Sequence, residues 1–220
     1  MRQLSRVVVA TAMLSIALLG GCQVIGVAVE NYRKDATRTI PAECVALQAK
    51  SFAAIVTADR AIQGDFPMLT EVLTAKVTER LSNPANLPAA SGFVPARDVL
   101  RYIYENPSWG LRTKSDVARS LGGVDLIIVL ELLEYRLHDP GNPYVWDAMA
   151  SATMSVYDPT SPTPEIAVFE KPITVRFPDK RGMGPEDMNA SLVSQALTLR
   201  LIDRATWLFY EHEEPYYPTY

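Results

Sequence analysis

The sequence has few of the residues that carry nucleophilic chemistry, with two cysteines and two histidines among 220 residues. A nucleophilic pair needs a cysteine or serine beside a base, yet neither His138 nor His212 lies in a recognisable catalytic motif. No serine stands in a G-x-S-x-G sequence. We therefore expect a protein that is not an enzyme. An enzymatic alternative requires a fold that brings a histidine beside Cys44 or a serine.

Motifs for cofactors and metals are also missing. No glycine-rich loop has the Walker or dinucleotide-binding spacing, and the segment 211–214, EHEE, lacks the H-E-x-x-H spacing of a zinc site. Glu131 and Glu134 are three positions apart on one predicted strand, and this odd spacing places them on opposite faces, so we do not expect an acid–base pair. We expect no cofactor and no metal.

The charge balance is acidic, with 21 Lys and Arg against 25 Asp and Glu. Removal of the N-terminal leader described next would make it more negative, because Arg2 and Arg6 would be lost. An acidic exported protein is a poor nucleic-acid binder, so we expect no nucleic acid as a partner.

The first residues have the organisation of a secretory signal. Arg2 and Arg6 provide the positive start, residues 7–19 form an apolar run, and the segment ends in Leu-Gly-Gly-Cys. The run is shorter than the roughly 20 residues that a spanning helix needs. We predict that residues 1–21 are a signal peptide.

The sequence Leu-Gly-Gly-Cys resembles the lipobox of bacterial lipoproteins. The resemblance implies that Cys22 becomes the lipidated first residue, carrying palmitate or a similar acyl chain, whereas an ordinary cleaved signal is the alternative. Gln23 resembles the residue of lipoproteins sorted to the outer membrane. We expect a membrane-anchored protein whose domain lies in the periplasm, and because Cys44 is then the only remaining thiol, no intrachain disulfide.

The central stretch of the mature chain runs from Thr113 to Leu137 and combines a short helix with a long apolar strand. Thr113 caps the helix, and Gly122 and Gly123 end it. The apolar run 124–133 predicts a strand covered on both faces and therefore interior to its sheet. A buried helix of similar length is the alternative.

The remaining elements follow from hydrophobic periodicity and from proline positions. They are a strand at 51–58, a helix from 67 to 82, a short strand at 92–94, a helix at 95–106, strands at 145–157 and 166–177, and a helix from 185 to 206. Their order, βαβααβββα, predicts one α/β (α+β) domain with helices packed on a single sheet. We assign residues 22–48 to the lipidated N-terminus and tether, 49–212 to the domain and 213–220 to an acidic, aromatic tail.

This order, together with FAAIVTAD, SDVARSLGGVDLIIVLEL and TWLFYEHEEP, resembles envelope lipoprotein domains related to the TolB N-terminal domain, LpoB and the periplasmic part of CsgG. The resemblance covers about residues 45 to 212. One departure concerns the curli channel, whose long membrane-spanning hairpins have no counterpart in the short DPTSPTPE segment.

Aromatic residues near the C-terminus are the positive sign of a binding surface. Tyr210, Tyr216, Tyr217 and Tyr220 offer large contact area at low entropic cost, and Pro215 and Pro218 disfavour a helix or a central strand. We expect Glu213 and Glu214 to keep this tail solvated and the tyrosines to contact a partner. The alternative is that the tyrosines cover a sheet edge.

These observations favour a non-enzymatic, lipid-anchored lipoprotein that acts as an accessory or assembly factor by binding another envelope protein. The alternative is an oligomeric subunit of a curli-type outer-membrane secretion channel. A ring of identical subunits in detergent would favour the channel, and a monomer would favour the accessory factor. The identity of the partner and the oligomeric state do not follow from the sequence.

The lipid anchor can be tested by changing Cys22→Ala. Stable anchoring needs more than one acyl chain, and the usual multiple acylation of the cysteine would supply them. We expect the variant to leave the membrane fraction. If it still fractionates with membranes after a high-salt wash, the prediction of a lipid anchor is wrong.

Overall fold

The computed structural model describes residues 36–215. Its strands are β1 Thr37–Ile40, β2 Ser51–Ala58, β3 Gly92–Phe93, β4 Leu126–Arg136, β5 Ala148–Tyr157, β6 Phe169–Phe177 and β7 His212–Pro215. Its α-helices are α1 Arg60–Asp65, α2 Leu69–Ser82, α3 Ala96–Glu105, α4 Lys114–Ser120 and α5 Ala190–Trp207. A short 3-10 helix spans Trp109–Leu111. None of the helices within residues 36–215 has the length and apolar character needed to cross a bilayer.

Five strands form a mixed sheet in the order β3-β2-β4-β5-β6. Strand β2 is parallel to both β3 and β4, whereas β4, β5 and β6 are successively antiparallel. Helices pack on this sheet, so the predicted α/β class is confirmed. The apolar run after Gly123 is the middle strand, β4, as its hydrophobicity predicted.

The helix that precedes β4 begins and ends at the residues that the sequence indicates. The Thr113 hydroxyl accepts a hydrogen bond from the Asp116 N–H at 3.1 Å. Gly122 and Gly123 have φ values of +92° and +77°, a backbone region that glycine adopts without a steric penalty. The chain therefore leaves α4 and enters β4 within a few residues.

Helix α1 was not predicted, because residues 59–65 contain few apolar side chains and resemble a polar turn. The carboxylate of Asp59 accepts a hydrogen bond from the Ile62 N–H at 2.8 Å and caps this helix. Ile62 is buried in the main core. One apolar contact and one cap are thus sufficient for a single short helix when the flanking elements are already fixed.

The main core lies on one face of the sheet, beneath α2 and α5. Helix α2 packs on β2, and α5 packs on β5 and β6. The sheet contributes its alternate apolar residues to this face, and the helices contribute one stripe each, which includes Leu73, Val77, Leu197 and Leu201. The alternation predicted for β5 is observed, because Ala148, Ala150, Ala152, Met154 and Val156 are all buried.

The opposite face is covered over only part of its area. Helices α3 and α4 form a second, smaller core there with Ala53, Ile55 and Ile127. Further along, the strands present Ser151 and Thr153 of β5 and Thr174 of β6, which are half-buried or exposed. Strand β4 is therefore buried on both faces in its first half and on one face in its second half.

The segment 41–48, which the sequence assigns to the tether, packs on the unit that contains the five-stranded sheet. This compact unit begins at Pro41. Cys44 and Leu47 are buried, and the N–H groups of Glu43 and Cys44 donate to the Leu208 carbonyl at 2.9 and 2.8 Å. The segment therefore satisfies a carbonyl group at the end of α5, where the helix has no internal donor left.

Strands β1 and β7 form a separate two-stranded sheet. The Thr37 hydroxyl donates to the Glu213 carboxylate at 3.3 Å, and Arg38 lies 3.8 Å from the Glu214 carboxylate. The prediction that Glu213 and Glu214 belong to a solvated tail is wrong for Glu214, which is buried, and both residues lie in a strand. Pro215 is compatible with this strand because it stands at the end, where a missing N–H costs little.

The burial of β4 generates a stability prediction. Changing Ile128→Asp places a carboxylate in the fully buried main core without a partner, so we expect a loss of about 3 to 5 kcal/mol in the free energy of unfolding. Leu133→Asp is the matched control, because Leu133 is an exposed residue of the same strand. Denaturant unfolding measures both, and an unchanged midpoint for Ile128→Asp would contradict the assignment of this strand to the core.

Candidate partner-binding groove

The structure describes only one of the lipidation and partner-binding residues that the sequence predicts, namely Tyr210. Cys22, Tyr216, Tyr217 and Tyr220 lie outside the described residues. Tyr210 is buried in the main core, and its hydroxyl lies 3.2 Å from the Thr206 hydroxyl. The expectation that Tyr210 is an exposed contact is therefore corrected: the residue follows α5 directly and turns back under the helix end.

The histidines and Cys44 have structural contacts. His138 stacks on Trp146 with ring centroids 4.3 Å apart, and His212 stacks on Trp207 at 4.6 Å. Burial raises the pKa of the Cys44 thiol above its usual range. A raised thiol pKa disfavours the thiolate, which is the nucleophilic form, so this cysteine has the properties of a core residue.

Glu131 and Glu134 lie on the same face of the sheet, contrary to the expectation from their spacing. Strand β4 has a register shift between Leu132 and Glu134, so that Glu131 pairs with Thr153 and Glu134 with Ser151. A β-bulge inserts one extra residue into a strand, so two side chains three positions apart across the bulge point to the same face of the sheet. The Glu134 carboxylate accepts a hydrogen bond from Arg136 Nε at 2.7 Å.

Metal-ligating side chains do not cluster in the part of the chain that the structure describes. Within residues 36–215, no group of three or more His, Cys, Asp or Glu side chains is placed to hold an ion. In the EHEE segment, His212, Glu213 and Glu214 belong to strand β7, and Glu211 precedes it.

An apolar groove lies between α2 and α5 and has a volume of about 620 Å³. The turn between α1 and α2 closes one end. Its lining residues are Asp65, Phe66, Pro67, Met68, Leu69, Val72, Lys76, Ser191, Ser194, Gln195, Thr198, Leu199 and Ile202. We call this feature the α2–α5 groove.

The groove exists because two helices lie side by side on the same face of the sheet. Phe66, just before α2, packs edge-on against Tyr135 at 4.7 Å, and the Tyr135 hydroxyl contacts Ser194 near the start of α5. At the other end, Arg80 of α2 pairs with Asp203 of α5 at 3.0 Å. The two helices therefore run in the same direction.

The floor of the groove is held by a buried hydrogen-bond network. The Tyr135 hydroxyl lies 2.9 Å from the Thr198 hydroxyl and 3.0 Å from the Ser194 carbonyl oxygen. Tyr135 of β4 thus fixes the distance between α5 and the sheet. Beside the far end, burial raises the pKa of the Asp203 carboxyl, and Arg80 offsets this effect only in part.

Apolar side chains on the groove remain in contact with solvent. Met68, Val72 and Leu199 are 59%, 43% and 46% exposed. Val72 stands at helical spacing from Leu69, but α2 reaches the core through Leu69, Leu73, Val77 and Leu81. The sequence contains one sign of this exposed surface. Each helix carries an apolar residue outside the stripe that it buries, Val72 on α2 and Leu199 on α5.

A second cleft, of about 420 Å³, lies between α3 and the end of α4 and has a different character. Its walls carry Asp98, Arg101 and Glu105, and Arg101 pairs with Asp98 at 3.0 Å. The Tyr102 hydroxyl beside it is buried and has no hydrogen-bond partner within the described chain. The α2–α5 groove is the better candidate site, because it is larger than this cleft and its lining is mainly apolar.

Comparisons with protein-family models and with curated protein sequences found no match. Among solved structures, the chain is similar to the PelC dodecamer from Paraburkholderia phytofirmans, with a TM-score of 0.45, 15% identity, and coverage of 80% of this chain and 99% of that chain. It is also similar to lipoprotein GNA1162 from Neisseria meningitidis, with a TM-score of 0.45, 13% identity, and coverage of 71% and 98%.

A third similar structure is protein XCC0632 from Xanthomonas campestris, with a TM-score of 0.42, 12% identity, and coverage of 76% of this chain and 90% of that chain. Likenesses at this level assign no family to the chain. The resemblance to the TolB, LpoB and CsgG domains stays a prediction.

The network under the groove can be tested with Tyr135→Phe. This change removes one hydroxyl and leaves the buried Thr198 hydroxyl without that partner, so we expect a loss of about 1 to 2 kcal/mol in the free energy of unfolding. Tyr104→Phe is the control, because Tyr104 is exposed on α3. Equal stability of Tyr135→Phe and the parent protein would show that this network does not hold α5.

Proposed function

We propose that this chain is a lipid-anchored, non-enzymatic envelope lipoprotein that acts as an accessory or assembly factor by binding another envelope protein. The observation that carries the proposal is the α2–α5 groove with its exposed Met68, Val72 and Leu199. The lipobox-like sequence ending at Cys22 supports the anchor, and Gln23 supports the outer membrane as its destination.

The groove supports binding because it is apolar, concave and formed before any partner arrives. Exposed apolar surface of this kind marks interaction sites in soluble domains. Phe66, Leu69 and Ile202 form its deeper apolar part, and each of them also packs on the core or belongs to it. The apolar surface that a partner would contact is therefore held in place by packing on the main core.

The side chains around the groove support a role in binding rather than in chemistry. Its polar residues are hydroxyls, one amide, one carboxylate and one amine, and the lining contains neither a histidine nor a cysteine. The Ser194 and Thr198 hydroxyls bond to Tyr135, so they act as part of the scaffold.

Two further proposals concern contacts beyond the groove. Tyr216, Tyr217 and Tyr220 remain candidates for additional partner contacts, since they adjoin strand β7 in the sequence.

An oligomeric channel subunit remains the alternative function, and its support would be a ring of identical subunits in detergent.

The experiment compares two exposed leucines in the full-length lipoprotein. Leu199 lines the groove, whereas Leu111 is 91% exposed in the 3-10 helix and is not among the lining residues. Leu199→Glu would place a charge against the apolar surface of a bound partner, where an unpaired carboxylate is costly. We expect cross-linking in intact envelopes, read by mass spectrometry, to lose the partner with Leu199→Glu and to retain it with Leu111→Glu.

Both variants should keep the melting temperature of the parent protein and stay in the membrane fraction, because both positions are exposed. Retention of the same cross-linked partner by Leu199→Glu would contradict the assignment of the groove as the binding site. Loss of the partner in both variants would also contradict this assignment, because Leu111 does not line the groove.

A further inference from the structure

We infer that the α2–α5 groove takes the apolar face of an amphipathic helix of about three turns, supplied by a partner protein, with a basic residue of that helix beside Asp65. This inference rests on the proposed function and specifies the chemistry of the partner at the same site.

The length of the groove sets the length of the partner segment. On α5 the lining extends from Ser191 to Ile202, which at 1.5 Å per residue is about 16 Å. A helix laid along that distance contributes about 11 residues, or three turns. Such a segment presents apolar residues at positions i, i+3 or i+4, and i+7, the spacing by which helices bind in hydrophobic grooves.

The arrangement of the walls favours a helix over an extended segment. Two helices that run in the same direction leave a trough parallel to their axes, and a third helix fits into such a trough by packing side-chain ridges into grooves. Val72 and Leu199 stand on opposite walls and contact the same occupant from two sides. An extended strand would instead require free backbone groups, and regular helices keep theirs within the helix.

The walls also distinguish a helix from a lipid acyl chain. An acyl chain gains from complete removal from water, but Met68, Val72 and Leu199 show that the groove is open along its length. One wall carries Ser191 and Gln195, which are polar and exposed. An amphipathic helix suits this mixture, because its polar side remains in water while its apolar side fills the floor.

The charged residues at the two ends of the groove determine the orientation in which the partner helix binds. Asp65 is exposed at the end of the groove where the α1–α2 turn lies, and within residues 36–215 no ion pair is formed by its carboxylate. At the opposite end, Lys76 pairs with Glu79 at 2.7 Å. A lysine or arginine of the partner near Asp65 would find an uncompensated carboxylate, and an acidic residue would be repelled.

The occupant can be identified by photo-cross-linking with p-benzoylphenylalanine placed separately at Val72 and at Leu199 of the full-length lipoprotein. Position Leu111, which is exposed in the 3-10 helix and is not among the lining residues, is the control. Irradiation is performed in intact envelopes, and the cross-linked peptides are sequenced by mass spectrometry. We expect both groove positions, but not the control, to capture one segment of another protein with apolar residues at helical spacing and a basic residue toward the Asp65 end.

Other occupants give distinct results. Capture of a second copy of this chain, of residues 24–29 of the same chain, or of lipid overturns the inference. Capture of another protein through a segment with strand periodicity or no periodicity overturns the helical partner but leaves the proposed function standing. No capture at either groove position contradicts both the inference and the proposed function at this site.

The direction of the helix is tested with a synthetic peptide of the captured segment and the purified full-length lipoprotein in detergent. We expect the peptide to gain helical circular dichroism on binding and Asp65→Lys to weaken binding by roughly two- to fivefold, the size of an exposed ion pair. A peptide with its basic residue changed to glutamate should bind Asp65→Lys better than it binds the parent protein. Equal affinities in all four combinations would overturn the proposed orientation.

Discussion

The burial of strand β4 is the constraint on which the rest of the structure depends. Its first half is enclosed between the main core and the smaller core formed with α3 and α4. Ile127 and Ile128 point to opposite cores, and both are fully buried. Neighbouring residues of one strand therefore belong to two different cores, and each core includes residues of the helices on its own face of the sheet.

The two layers have different extents, and this difference shapes the surface of the domain. Helices α2 and α5 lie along the main core, whereas α3 and α4 cover only the beginning of the opposite face. The sheet tolerates the uncovered area because Ser151, Thr153 and Thr174 occupy it, and an antiparallel region commonly has one solvated face. On the helical layer of the opposite side, the exposed apolar side chains include Met68, Val72 and Leu199, which line the α2–α5 groove.

The groove combines a rigid base with an adaptable rim. Tyr135 extends from β4 to Ser194 and Thr198 of α5, so the central strand also sets the floor of the proposed binding site. Met68 and Leu199 at the rim are flexible side chains that can adjust to a partner. Under the proposed function, a lipid anchor at Cys22 would confine this surface to the membrane and raise its effective concentration toward other envelope proteins.

The type and order of the main elements could be read from the sequence because each depends on local patterns. Strand β2, helix α2 and the alternation along β5 follow from periodicity, and the boundary between α4 and β4 follows from a threonine cap and two glycines. The leader and its terminal cysteine are likewise local signals. The short strands β1 and β7 were not predicted, since each is stabilised by pairing with a segment far away in the chain.

The candidate site, in contrast, was decided by the tertiary structure. The sequence shows that α2 and α5 each carry apolar residues at helical spacing. A helix lying on a sheet buries only a limited stripe, however, and the choice between Val72 and Leu73 depends on how the neighbouring helix is placed. The common orientation of Glu131 and Glu134 also arises from a bulge that no alternation pattern reveals. Local propensity thus determined which elements form, and the packing of those elements on the shared strand β4 decided which of their side chains remain at the surface.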